Sequence, residues 1–193
     1  MAWTSRSVSV MGLCACLTVA AAPAHSGVIP LNQFLEFSFF DAGQPAAGCA
    51  PADPGGDFCV PGSGTQFLNA PPWTFVAPLG GATLIVTDAF TAGDRFQVFD
   101  FGVSIGLTSA PIGAGSCGSD PVTCLANANI SHGVFALAAG AHSLTLTAIL
   151  APTGGGAGYL QAQVAQIPEP SLSALLTAGL LALYGWRSRA RRK

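Results

Sequence analysis

Between residues 27 and 167 the apolar positions recur mostly at every second residue, in short runs separated by glycine-rich turns. Phe34–Phe40 is an aromatic run, Trp73–Val76 a second, and Ala82–Thr87 is rich in β-branched residues. Arg95–Phe101 alternates closely, which puts its phenylalanine and valine side chains on one face, and Val103–Leu107 continues after Gly102. Ser143–Thr147 alternates throughout, and Gly158–Val164 gives one more run. Turn residues fall between them at Gly80-Gly81, Ala92-Gly93-Asp94, Ala139-Gly140 and Gly154-Gly155-Gly156. A two-residue period marks half-buried strands, and no stretch here sustains a helical period with caps. The pattern predicts an all-β domain, an antiparallel β-sandwich that is jelly-roll-like. Residues 41–64 and 109–129, rich in Gly, Pro and Ala, read as two long loops.

The ends follow other rules. Arg6, then an apolar core from Val8 to Ala22, then small residues at Ala22-Pro23-Ala24 and Ala24-His25-Ser26, predict a signal peptide over 1–26, cleaved after Ala24 or Ser26. An uncleaved anchor is the alternative. A lipoprotein box at Leu13-Cys14-Ala15-Cys16 conflicts with the apolar run that continues past Cys16. At the other end Pro168-Glu169-Pro170 precedes an apolar stretch, Leu172–Trp186, and then Arg187, Arg189, Arg191, Arg192 and Lys193. As a helix those residues would span about 22 Å at 1.5 Å each, short of the roughly 30 Å hydrocarbon core. Snorkelling arginines can make up part of the difference, and the basic cluster places the tail in the cytoplasm and the domain, residues 27–167, outside. The competing reading, a buried terminal helix, fits poorly with five basic residues in the last seven.

Pro168-Glu169-Pro170, the Ala/Leu/Gly stretch and the Arg-rich end together, over residues 168–193, resemble the PEP-CTERM sorting signal of Gram-negative bacteria. The resemblance implies a single transmembrane sorting helix and recognition by exosortase, a membrane transpeptidase with a cysteine nucleophile. It also implies cleavage at the Pro-Glu-Pro site. The precursor is then held transiently in the inner membrane, and the product is delivered to the cell surface or an extracellular polysaccharide matrix. The segment Val86–Asp100 with Gly102 and Gly106, joined by Ser131-His132-Gly133, Leu137–Leu144 and Gly154–Tyr159, resembles a β-sandwich pattern of secreted PEP-CTERM proteins. That pattern carries no activity with it.

Composition sharpens the division. Half of the 193 residues are hydrophobic and 8% are charged. Arg95 is the single basic residue between 27 and 170, where all nine acidic residues lie, giving 1 − 9 = −8 and no lysine. A partner nucleic acid is excluded on this ground, because phosphate binding needs clustered Lys or Arg. Four cysteines follow the leader, allowing three connectivities. We expect Cys49 with Cys59 and Cys117 with Cys124, each closing a short loop in an oxidising compartment and each contributing about 2–3 kcal/mol. A four-cysteine zinc site would require CxxC knuckles that are not there.

Candidate chemistry is sparse. Asp88, Asp94 and Asp100 recur every six residues. If two of them converge with loop carbonyls a structural calcium site follows, the one cofactor the sequence suggests; if each merely shapes a turn, it does not. His132 and His142, with Ser131, invite a hydrolytic reading, yet no G-x-S-x-G, H-E-x-x-H or P-loop accompanies them. Glu36 is the only glutamate of the domain. Among the aromatics, Trp73 after Pro71-Pro72 is the candidate for an exposed sugar-stacking ring. Asn129-Ile130-Ser131 has the form of a glycosylation sequon. The expected function is a non-catalytic structural or adhesive one in an exported protein. The alternatives are a carbohydrate-binding module, with or without calcium, and a secreted polysaccharide hydrolase.

Overall fold

The computed structural model describes residues 27–53, 56–60, 65–164 and Leu176. The expected signal peptide, the Pro168-Glu169-Pro170 motif and the apolar stretch beyond it lie outside these residues, Leu176 excepted. Among the described residues no helix is long and apolar enough to cross a membrane.

The chain runs β1 (Leu35–Phe39), β2 (Ala47–Gly48), α1 (Cys49–Ala52), β3 (Gln66–Phe67), β4 (Trp73–Ala77), β5 (Ala82–Asp88) and β6 (Phe90–Thr91). It continues through β7 (Arg95–Asp100), β8 (Val103–Leu107), β9 (Ser116–Gly118), α2 (Pro121–Ala126), β10 (His132–Leu137), β11 (Gly140–Leu150) and β12 (Gly156–Val164). One sheet has the order β10-β5-β12-β1-β2, with β3 beside β1; a second has β4-β11-β7-β8; β6 and β9 form a small ribbon. All pairings between the long strands are antiparallel; β3 alone lies parallel to β1. The two halves of the chain pair like one folded hairpin, β1 with β12, β4 with β11, β5 with β10 and β7 with β8. Its tip is the turn at Phe101-Gly102, where both residues have positive φ, 48° and 76°.

The two large sheets face each other across one apolar core, so the molecule is an all-β sandwich. Alternation decides which residues enter it. In β4 it is Trp73, Phe75 and Ala77; in β7, Phe96 and Val98; in β11, Leu144, Leu146 and Ala148. The facing sheet contributes Leu35, Phe37 and Phe39 of β1, Leu84 and Val86 of β5, and Leu160 and Ala162 of β12. Phe37 joins the layers, its ring 5.3 Å edge-on to Phe96 and 5.7 Å from Trp73. Two sequence expectations change here. Phe99 and Phe101 do not share the inner face with Phe96, since Phe101 is 65% exposed. Trp73 is fully buried, with its Nε1 donating to the Asn69 carbonyl, so it offers no sugar platform.

β1 is buried on both faces. Its outward side chains Glu36 and Ser38 lie under the segment that carries β2, α1 and β3. A second small cluster, with Ala89, Cys117, Cys124, Ile130, Ala157 and Tyr159, forms where β9 and α2 pack over the outer side of β5 and β12. The two long loops of the sequence reading thus hold short elements, and each folds back as a cover on the same sheet.

Candidate functional site

Cys49 and Cys59, and Cys117 and Cys124, stand at disulfide distance, closing loops of 10 and 7 residues. The first loop is organised by Asp53, whose carboxylate accepts from the backbone N–H groups of Asp57, Phe58 and Cys59 at 2.9, 2.9 and 2.7 Å. Burial works against its ionisation, but these N–H groups outweigh it and hold the carboxyl below its usual range. Glu36, fully buried, accepts from the Val60 N–H and the Thr65 hydroxyl, both at 3.0 Å. It binds the end of that loop to β1, which is a structural task. Glu36, Cys49 and Cys59 also bring ligand atoms within 4.8 Å of one another. Both sulfurs are consumed in the disulfide, which removes the thiolates a metal would need.

The second loop is ordered by α2. Asp120 caps it, accepting from the N–H groups of Val122 and Thr123, and Pro121 occupies the first helical position. The Thr123 hydroxyl donates to the same carboxylate, which lowers the carboxyl's pKa.

The trio Asp88, Asp94 and Asp100 does not converge. Asp100 ends β7, a strand of six residues and roughly 20 Å from Asp94 by strand rise. Its carboxylate is taken by His142 Nδ1 at 2.7 Å and the Ser143 N–H at 3.0 Å. His142 Nε2 faces the Ala138 carbonyl at 2.9 Å and the ring stacks on Phe75. Both nitrogens are engaged, so the Asp100–His142 pair is a clasp between strands with no free nitrogen for a nucleophile.

Asp88 and Asp94 do come together. Asp88 closes β5 and is fully buried; Asp94 precedes β7 and is 6% exposed. Asp88 Oδ1 accepts from the Ala89 N–H at 2.8 Å and Oδ2 from the Asp94 N–H at 3.2 Å, which ties off the β5–β7 crossover. Burial raises the Asp88 pKa to about 8, helped by the neighbouring Asp94 charge. Burial likewise raises Asp94 to about 6, against the opposing effect of its hydrogen bond with Asp88. Asp94 Oδ1 is buried with no hydrogen-bond partner. Asp94 lines a cavity of about 330 Å³ bounded by the β5–β7 crossover, the β11–β12 turn and Asp57 and Phe58 of the first disulfide loop.

Ser131 and His132 make no catalytic pair. The Ser131 hydroxyl lies 2.6 Å from Thr108 Oγ1 and donates to the Ser109 carbonyl at 2.6 Å, while His132 Nδ1 meets the Ile130 carbonyl at 3.0 Å. On the opposite sheet an apolar groove of about 600 Å³ runs past Val28, Val76 and Phe101.

Of the residues singled out in the sequence, the fold joins Asp88 to Asp94 and separates Asp100 from both. It gives Ser131, His132 and His142 hydrogen-bonding tasks within the scaffold. Phe90 is one of the aromatics that the sequence offers for a sugar-stacking platform, whereas nothing in the sequence marks Asp57, Phe58 or Thr153 as site residues. The four come from three separate connections, and no local motif links them. Comparison with known proteins finds no match among family models, curated proteins or solved structures.

Proposed function

We propose that this chain is an exported protein sorted by exosortase to the cell surface or an extracellular matrix, where its β-sandwich has a structural or adhesive role without catalysis. The observation that carries the reading is the pair of cystines. Each closes a surface loop that covers the same sheet, and such bonds persist in oxidising compartments outside the cytoplasm. The signal-peptide pattern and the Pro168-Glu169-Pro170 end agree with that destination. The strand order supports a jelly-roll reading of the sandwich, since β1-β12-β5-β10 and β4-β11-β7-β8 are the two sheets of a chain folded as one long hairpin. Val28, Val76 and Phe101, 72, 68 and 65% exposed, give the second sheet an apolar outer strip suited to adhesion. Mass spectrometry of the surface-displayed protein tests the sorting claim. Peptides from Leu172 to Lys193 should be absent, and their presence in that fraction would refute processing.

A second reading, a carbohydrate-binding module, draws on the 330 Å³ cavity, where Phe58 and Phe90 stand near Asp57, Thr91 and Thr153. Aromatic faces with nearby carboxylates and hydroxyls are what sugar rings need. A glycan-array screen of the oxidised protein, with and without calcium, decides it; no saturable glycan signal in either condition rejects this reading.

A further inference from the structure

Two carboxylates in direct contact inside a protein need something between or beside them. Each buried charge loses hydration, and each repels the other. The ordinary remedy is a basic partner, and among the described residues no Lys or Arg pairs with Asp88 or Asp94. Arg95, the neighbour in sequence, has its Nε donating to the Thr108 carbonyl at 2.9 Å. Asp88 is served at both oxygens by backbone N–H groups. Asp94 is not: its Oδ1 is shut off from water and has no donor, in a residue 6% exposed that forms part of a cavity wall.

The wall opposite is bare backbone. A Cβ added at Gly156 would stand 3.4 Å from Asp94 Oδ2, and Gly155, at φ +131°, has no room for one beside Phe58 and the Phe39 carbonyl. The main chain at Gly156 thus approaches the Asp94 carboxylate closely, with Phe39 Cζ 3.0 Å from the same added Cβ. The hydroxyl-bearing Thr91 and Thr153 line the same cavity. Hard oxygen donors, a carboxyl pair with no basic partner among the described residues and an adjoining cavity form the donor set that suits calcium.

We propose that Asp88 and Asp94 hold a divalent cation of the calcium class at the mouth of the β5–β7 crossover, with Asp100 taking no part. The ion neutralises the pair, gives Asp94 Oδ1 its missing partner, and fixes the crossover to the β11–β12 turn. Water and oxygens of the cavity wall complete the coordination.

The test uses the oxidised full chain stripped with chelator and titrated with calcium chloride, with magnesium chloride alongside. Calorimetry should find one calcium per chain. The melting temperature should rise by about 5–10 °C at calcium 100 times its dissociation constant. Asp94→Asn, which keeps the shape and removes the charge, should abolish both responses, and Asp100→Asn should leave calcium binding intact. Should Asp88→Asn fail to fold, Asp94→Asn still decides the matter, because it relieves a buried repulsion and should melt above the wild type in chelator. Absence of saturable calcium binding by the wild type, or its survival in Asp94→Asn, overturns the site. A melting temperature that responds to pH but not to calcium assigns the pair to a shared proton and overturns it equally.

Discussion

Burial raises Asp88 and Asp94 from the ordinary value of 3.8 to about 8 and about 6. In the unfolded chain both ionise near pH 4, so from about pH 4 to pH 8 the folded protein holds more protons than the unfolded one. A raised pKa favours folding fully below the unfolded value, and that contribution is lost as pH rises through the folded values. In chelator-containing buffer the urea midpoint should therefore fall between about pH 5 and pH 8, and Asp94→Asn should flatten the fall. A wild-type midpoint that rises across this window would contradict the pairing. Asp53, held below its usual range, acts with the opposite sign and at lower pH. The six-residue recurrence marks both aspartates as candidate cation ligands, but neither their burial nor which two of the three meet is legible in the residues themselves. Asp94 follows Gly93 and reads as a turn former, and Asp88 ends an apolar run as a surface residue would. Their encounter is made by a crossover between sheets, which alternation does not encode. The core residues were more legible. Phe37, fully buried between Trp73 and Phe96, should cost about 3–5 kcal/mol when replaced by Ala, read from denaturant unfolding.

At the scale of elements, β1, β4, β5, β7, β8, β11 and β12 are legible within a few residues because each is a short aromatic, β-branched or alternating run bounded by turn residues. β10 carries no such signal, since His132-Gly133 opens it and no run of β-branched residues follows. α2 lies in a segment the sequence presents as loop, because six residues cannot display a helical period, although Asp120-Pro121 is a helix start signal. Glycine in β12 has a packing role. Gly158 pairs with Phe37 across β1 and β12, and a Cβ there would collide with Phe37 Cζ. Gly158→Ala should destabilise by about 1–3 kcal/mol through overpacking, measured by thermal unfolding. If stability were unchanged, Phe37 would not be the fixed wedge between the sheets. The cystine loops are separate from that core. Replacing Cys117 and Cys124 together by Ser should cost about 2–3 kcal/mol from loop entropy while leaving sandwich circular dichroism intact. Loss of the whole β signal would show that α2 and β9 are needed for the sandwich to form.

The charge map of the whole molecule divides the sequence into three parts with different physics. The sandwich region is acidic and has Arg95 as its single basic residue; five of the other six basic residues stand in the last seven positions. Electrostatics gives the sandwich no affinity for an anionic membrane surface, so any hold on a membrane must come from the apolar stretches at the two ends of the sequence. In the proposed sorting reading, that makes residence in the membrane separable from folding of the domain. Glu169 is the residue on which to separate them, because its replacement touches neither the apolar stretch nor the basic end. Glu169→Ala should leave the protein oxidised, folded and retained in the inner-membrane fraction, with Leu172–Lys193 still attached, while the wild type reaches the surface without them. The cystines serve as the internal control: both pairs should map identically in the retained and released forms, since Glu169 lies outside both of the loops they close. Surface display of Glu169→Ala at the wild-type level would separate the Pro-Glu-Pro motif from export.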